Sequence, residues 1–99
     1  MADNPGFPVG TAVVNWIDSN SVFHLRVYST DGYTVTEMGN DGNGWAATGF
    51  TAPGSDVSAT LWQDWQGTHI RIYCTFEDTT TEWCTDNESS WYQGAYTPP

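Results

Sequence analysis

Short apolar segments alternate along the chain with polar breaks. The segments are rich in Val, Ile, Thr, Tyr and Trp, the breaks contain Asp-Gly, Asn-Gly or Pro-Gly, and no stretch carries helical periodicity. This pattern predicts antiparallel strands joined by tight turns. It also occurs twice. "HLRVY" at 24–28 returns as "HIRIY" at 69–73, "VVNW" (13–16) as "ATLW" (59–62), "TVTEM" (34–38) as "TTTEW" (79–83), and "WAATGF" (45–50) as "WYQGAY" (91–96). The arginines, the glutamates and the turn aspartates Asp41 and Asp86 recur at a spacing of 45, while the flanking tryptophans shift to 46, a slip that belongs in loops. Each unit reads as four strands, near 12–17, 23–29, 34–39 and 45–50 in the first.

A four-stranded antiparallel unit of about 40 to 45 residues is the size of a propeller blade. The expected organisation is therefore an all-β chain with an N-terminal extension at 1–10, one blade at 11–54 and a second at 55–99. Propellers close with about four to eight blades, so two per chain imply a cyclic homo-oligomer of two, three or four copies. A two-sheet sandwich is the structural alternative. With 99 residues the domain buries only about two-thirds of its unfolded surface, so a partner copy would complete the core.

Charge narrows the partners. Twelve carboxylates against two basic side chains give a formal charge of −10, which excludes nucleic acid and disfavours anionic membranes. No run of about 18 apolar residues exists to span a bilayer, and residues 1–5 lack the basic start and apolar stretch of a secretory signal.

Arg26 and Arg71 are the only lysine or arginine side chains, and both occupy the centre of the repeated strand. With Asp31-Gly32 as the turn, Arg26 faces Glu37 across the ladder, and Arg71 faces Glu82 in the second unit. A structural ion pair is the plain reading. A guanidinium beside a carboxylate also offers the paired donors and acceptors that neighbouring sugar hydroxyls require. Trp45 and Trp91 supply flat apolar faces on which the C–H side of a pyranose can lie. The same register sets Cys74 opposite Thr79 and Cys84 opposite His69, too far apart for a disulfide. Free thiols are expected.

Other features carry less. Trp16 and Trp62 belong to the first strands, mainly in the core, with one edge able to line a site. Trp65 follows the second of these as an interface or rim residue. His24 and His69 share the arginine face as structural groups, since no third or fourth ligand completes a metal set. "NDGNGW" (40–45) lacks the closing glutamate of a calcium loop, and the "NES" sequon (87–89) reads as a turn. A glycosidase needs a general acid, whereas a Glu beside an Arg stays ionised, so binding fits better than catalysis and no cofactor is called for.

The combination of "HIRIY", "TTTEWC", an aspartate turn, "W" and "GAYT", present twice, resembles the two-repeat bacterial fucose-binding lectins of the Ralstonia and Burkholderia type, relatives of the Aleuria-type fungal fucose lectins. The resemblance runs from about residue 11 onward. It implies a six-bladed propeller built from three chains, binding L-fucose and fucosylated glycans between neighbouring blades, and a secreted or cell-surface role. It implies one site made of Arg26, Glu37 and the Gly49 N–H with Trp91, and another made of Arg71, Glu82 and the Ala95 N–H with Trp45 of a neighbouring copy. Asn40 and Thr85 stand at the pocket edge where the family carries an aromatic ring, and Gly49 replaces its alanine. Tyr92 follows Trp91 where the first unit has Ala46, so the two sites are expected to differ in affinity. Another sugar specificity, or an enzyme acting on fucosylated glycans, is the alternative.

Overall fold

The computed structural model describes residues 7–99, so most of the extension expected at 1–10 falls outside the described residues. Eight strands follow: β1 (Gly10–Ile17), β2 (Phe23–Thr30), β3 (Thr34–Asn40), β4 (Trp45–Pro53), β5 (Asp56–Asp64), β6 (Gly67–Phe76), β7 (Thr79–Asp86) and β8 (Tyr92–Gln93). They form two antiparallel four-stranded sheets, ordered β1-β2-β3-β4 and β5-β6-β7-β8. The first strands of the two sheets, β1 and β5, pack on each other.

The hairpin register differs from the expected one. Arg26 faces Gly39 rather than Glu37, and Glu37 faces Tyr28. In the second sheet Arg71 faces Cys84, and Glu82 faces Tyr73. Turn chemistry explains the shift. The Asp31 carboxylate accepts from the N–H groups of Tyr33 and Thr34, and Gly32 takes φ +101°, so the loop is centred on Gly32-Tyr33. The second turn is Glu77-Asp78, both at positive φ, as a two-residue hairpin turn demands. Because the slip spans an even number of residues, every side chain keeps its face.

The partners expected for the cysteines change too, to Thr81 for Cys74 and Arg71 for Cys84. Cys84 shares a sheet face with Arg71 while Cys74 points to the other, and both thiols are free and buried. Burial pushes the Cys74 thiol up to about 11, which keeps it uncharged and unreactive.

The two sheets stack front to back. The inward face of the first sheet carries Val14, Trp16, Tyr28, Val35 and Ala52; it packs on Val57, Ile70, Ile72 and Cys74 of the second. Fully buried residues of this type contribute about 1.5–3 kcal/mol each. In repeat terms these faces are not equivalent. The row Thr60–Arg71–Cys84–Tyr92 corresponds to the first sheet's Val14–Arg26–Gly39–Ala46, yet it lies on the second sheet's outer face. Conversely Val13–Val27–Met38–Ala47 corresponds to the packed row Ala59–Ile72–Trp83–Gln93 but faces outward. Val13 and Met38 are accordingly exposed. A closed sandwich would pack like faces together. This propeller-like stacking leaves a front and a back free.

Candidate functional site

A cleft of about 470 Å3 opens between the sheets beside the middle of β2, lined by Arg26, Glu37, Thr48, Gly49, Phe50, Thr85, Glu88 and Trp91 among others. Its floor is set by strand alternation, which puts Arg26 and Glu37 one step apart on the buried face of the first sheet. A bulge in β4 builds one wall. Between the pairs Thr36–Thr51 and Met38–Ala47 the ladder shifts, so that Thr48, Gly49 and Phe50 stand against Glu37. Gly49 adopts φ +93°, a backbone state that favours glycine, and the Thr48 hydroxyl donates to Glu37 Oε1 at 2.5 Å. Trp91 forms the opposite wall from the second sheet, its ring 4.5 Å from Phe50 and edge-on to Tyr28 at 6.2 Å.

Arg26 is held rather than free. Nη1 donates to the Leu25 carbonyl at 2.8 Å and to Asp41 Oδ1 at 2.9 Å, while Nη2 donates to Glu88 Oε1 of the second sheet at 2.6 Å. The guanidinium lies over Trp16 at 5.0 Å. It also presses on Gly39, where an added Cβ would fall 2.9 Å from Nη1. Tyr28, beneath it, is fully buried, and among the described residues its hydroxyl has no hydrogen-bond partner. Burial, then the nearby Glu37 carboxylate, drives the phenol far above its ordinary pKa.

Behind each arginine stands a clasp made of one imidazole and two carboxylates. His24 Nδ1 meets Asp41 at 2.7 Å and Nε2 meets Asp18 at 2.8 Å; His69 meets Asp86 at 2.6 Å and Asp64 at 2.9 Å in the same way. A neutral imidazole has one N–H and would turn a lone pair toward the second carboxylate, so the pair of acceptors favours the cation. Both histidines are raised from 6.5, through Asp41 then Asp18 for His24 and through Asp86 then Asp64 for His69. Each ring stacks on the tryptophan of the first strand, His24 on Trp16 and His69 on Trp62. The clasp fixes Asp41 and Asp86, and these fix the arginines. Among the described residues no group of His, Cys, Asp or Glu is arranged to hold a metal ion.

The second arginine repeats this chemistry on the open outer face. Arg71 Nη1 donates to Asp86 at 3.0 Å, and its guanidinium lies over Trp62 at 4.8 Å and over Tyr92 at 5.8 Å. Tyr92 donates to Asp86 at 2.6 Å; that bond first, then His69, holds the Asp86 carboxyl down at about 2. Glu82 accepts from the Tyr73 hydroxyl at 2.7 Å and from the Tyr96 N–H at 3.2 Å. Ala95, between Gly94 and Tyr96, is exposed beside it.

Of the residues singled out from sequence, Arg26, Glu37, Gly49, Trp91 and Thr85 converge on the cleft. Tyr92 does not join Trp91: its ring lies 5.8 Å from the Arg71 guanidinium and its hydroxyl donates to Asp86, so it belongs with Arg71. Asn40 pairs with Trp45, and its side chain clips the turn by accepting from the Gly42 N–H at 2.9 Å. The Thr85 hydroxyl likewise donates to the Ser89 carbonyl at 2.6 Å. Trp16 is buried under Arg26, whereas Trp62 is half-exposed and Trp65, at the β5–β6 tip, is 91% exposed. The "NES" stretch is a turn: Asn87 accepts from the Thr68 N–H at 2.8 Å and donates to the Gln66 carbonyl at 2.9 Å.

Sequence reasoning missed Asp18, Asp64, Thr48, Phe50 and Glu88. The two aspartates had a signal, since they recur at a spacing of 46 beside the repeated histidines. Gly49 inside an apolar strand was a signal for the bulge.

No curated protein matches the chain. A family model described as fungal fucose-specific lectin matches residues 8–99, which takes in both sheets, both clasps and every lining residue of the cleft. That match, over a fold of two blade-sized sheets with an Arg–Glu cleft between them, establishes that the chain belongs to the fungal fucose-specific lectin family, whose members bind carbohydrate and are not enzymes.

Proposed function

We propose that the protein is a multivalent lectin for L-fucose and fucosylated glycans, in which three chains close a six-bladed ring with sugar sites of two kinds. The first kind is the cleft within each chain, where Arg26, Glu37 and the Gly49 N–H bind the sugar's oxygens and Trp91 packs on its apolar side. The second kind forms between chains, with Arg71, Glu82 and the Ala95 N–H of one copy and Trp45 of the next. Its action is at glycan-coated surfaces outside the cell, where a rigid ring of weak sites gains avidity.

The observation that carries this reading is the convergence, in one cleft, of a guanidinium, a carboxylate, a bulged glycine and a tryptophan drawn from two repeated sheets. Ring closure is supported by the front-to-back stacking. A head-to-tail contact would set the outer Val13–Val27–Met38 row of one copy against the outer Arg71 face of the next. It would bury the exposed Val13, Ile17 and Met38 and complete the second site.

A glycan array with a fluorogenic fucoside assay in parallel tests the function. Binding confined to fucosylated glycans, with no turnover, is expected. Turnover of the fucoside, or retention of glycans lacking fucose in preference to those bearing it, would refute the reading.

A further inference from the structure

Among the described residues, Glu88 is the one carboxylate that reaches across the cleft. It comes from the β7–β8 loop of the second sheet and holds Arg26 Nη2 at 2.6 Å. Nη1 spends its two hydrogens on Leu25 and Asp41, whereas Nη2 presents two more, and Glu88 Oε1 takes one of these. The loop is built to present this side chain. Asn87 and Glu88 both adopt positive φ, 56° and 60°, a costly state for residues other than glycine. Their backbone is pinned by Asn87 to Gln66 and Thr68, and by the Ser89 N–H donating to the Asp86 carbonyl at 3.1 Å. The backbone is held by these bonds, while the side chain of Glu88 is half-exposed to water.

The corresponding loop of the first sheet differs. Glu88 stands at a spacing of 45 from Asn43, in a turn where Gly42 and Gly44 supply the positive φ angles and no side chain carries charge beyond Asp41. At the second arginine, Nη2 meets only the Tyr92 hydroxyl among the described residues, at 3.4 Å. Both guanidinium groups pair with an aspartate through Nη1, but Nη2 of Arg26 meets a carboxylate and Nη2 of Arg71 a neutral hydroxyl at longer range.

We propose that Glu88 is an internal competitor for the Arg26 cleft: it takes an Nη2 N–H that a neutral sugar would otherwise accept from, and so makes the intrachain site the weaker of the two kinds. The inference rests on the sugar-binding reading given above. A fucose hydroxyl or ring oxygen gains that N–H only as the Glu88 carboxylate turns away into water, and the acceptor given up is an ionised carboxylate where the replacement is neutral. The Arg71 site carries no such cost.

Calorimetric titration of the full chain with methyl α-L-fucoside tests this. The wild type is expected to show two affinity classes, one site of each per chain. Glu88→Gln and Glu88→Ala are expected to tighten the weaker class about two- to fivefold and leave the tighter one unchanged, the range expected for release of a partly exposed ion pair. In Arg71→Ala only the weaker class remains, and adding Glu88→Gln is expected to tighten it by the same factor. Raising salt from low to about 0.5 M screens the pair and is expected to strengthen binding in the weaker class, a readout that needs no mutation. If the sugar binds but neither Glu88 variant nor salt tightens the weaker class, or if the variants weaken it, Glu88 is not a competitor and the proposal fails while the lectin reading stands. If the wild type binds no fucoside in either class, both fall together.

Discussion

Replacing Arg26 by alanine separates the structural and binding roles of the clasped guanidinium. The change removes the bonds to Leu25, Asp41 and Glu88 and the contact with Trp16. A hydrogen bond to a charged group contributes about 1.5–3 kcal/mol when its partners are fully buried. Here the side chain of Arg26 is 7% exposed, but those of Asp41 and Glu88 are 48% and 50% exposed, so both carboxylates regain water when the arginine is lost. Discounted for that screening, each ion pair contributes roughly 0.5–1 kcal/mol, and the stacking on Trp16 a similar amount. With the unpaired Leu25 carbonyl the loss comes to about 2–3 kcal/mol, or a fall in Tm of about 10–20 °C for a domain of this size. Arg71→Ala acts at a more open site, where the side chain is 16% exposed, and is expected to cost about 1 kcal/mol. Thermal unfolding at matched protomer concentration reads the stability, and fucose titration reads the sites, each variant losing one site per chain. If Arg26→Ala unfolds within 2 °C of the wild type and keeps both sites, the guanidinium has neither role.

Further expectations follow from the clasps, from Gly39 and from the outer face of the first sheet. Because the His24 and His69 pKa values are raised in the folded state, the clasps contribute fully below the unfolded value of about 6.5 and lose that contribution as pH rises through the folded values. Asp86 runs the other way: its contribution is complete above 3.8 and is lost as pH falls toward about 2. Stability against pH should therefore peak between about pH 4 and 6.5 and decline on the alkaline side, and Asp18→Asn with Asp64→Asn should flatten the decline; an unchanged alkaline limb in that variant would count against the clasp. Gly39→Ala places a Cβ 2.9 Å from Arg26 Nη1, and titration should show the Arg26 site weakened at least tenfold with the Arg71 site intact. Val27→Asp sets a carboxylate in the middle of the outer apolar row, and light scattering should show the assembly dissociating while circular dichroism shows both sheets retained.

Much of the fold was legible because the repeat states it twice. Strand number, order and the common face of His24, Arg26 and Glu37 follow from turn spacing and period-two alternation, and even a register misplaced by two residues preserves them. The register itself was not legible, because it depends on turns whose chemistry is unusual: Glu77-Asp78 adopts positive φ without glycine or asparagine, and the Asp31 side chain caps its own loop. The arginine, the glutamate, the glycine and Trp91 could be read as candidate site residues, since only two guanidinium groups occur in the chain and each recurs with a glutamate at the same spacing. The clasps could not be read in full, since Asp18 just beyond β1 and Asp64 at the end of β5 border turns, where an acidic residue is ordinary. Glu88 was invisible for a different reason. It sits in a loop one residue longer than its counterpart, and only the folded chain brings it to an arginine 62 residues away.

Native mass spectrometry of the protein titrated with L-fucose tests the central claim most directly. Three chains of 10.9 kDa, about 33 kDa in all, are expected, taking up sugar in steps to two molecules per chain. A species that stays at 10.9 kDa at micromolar concentration, or a 33 kDa ring that takes up no fucose, would contradict it.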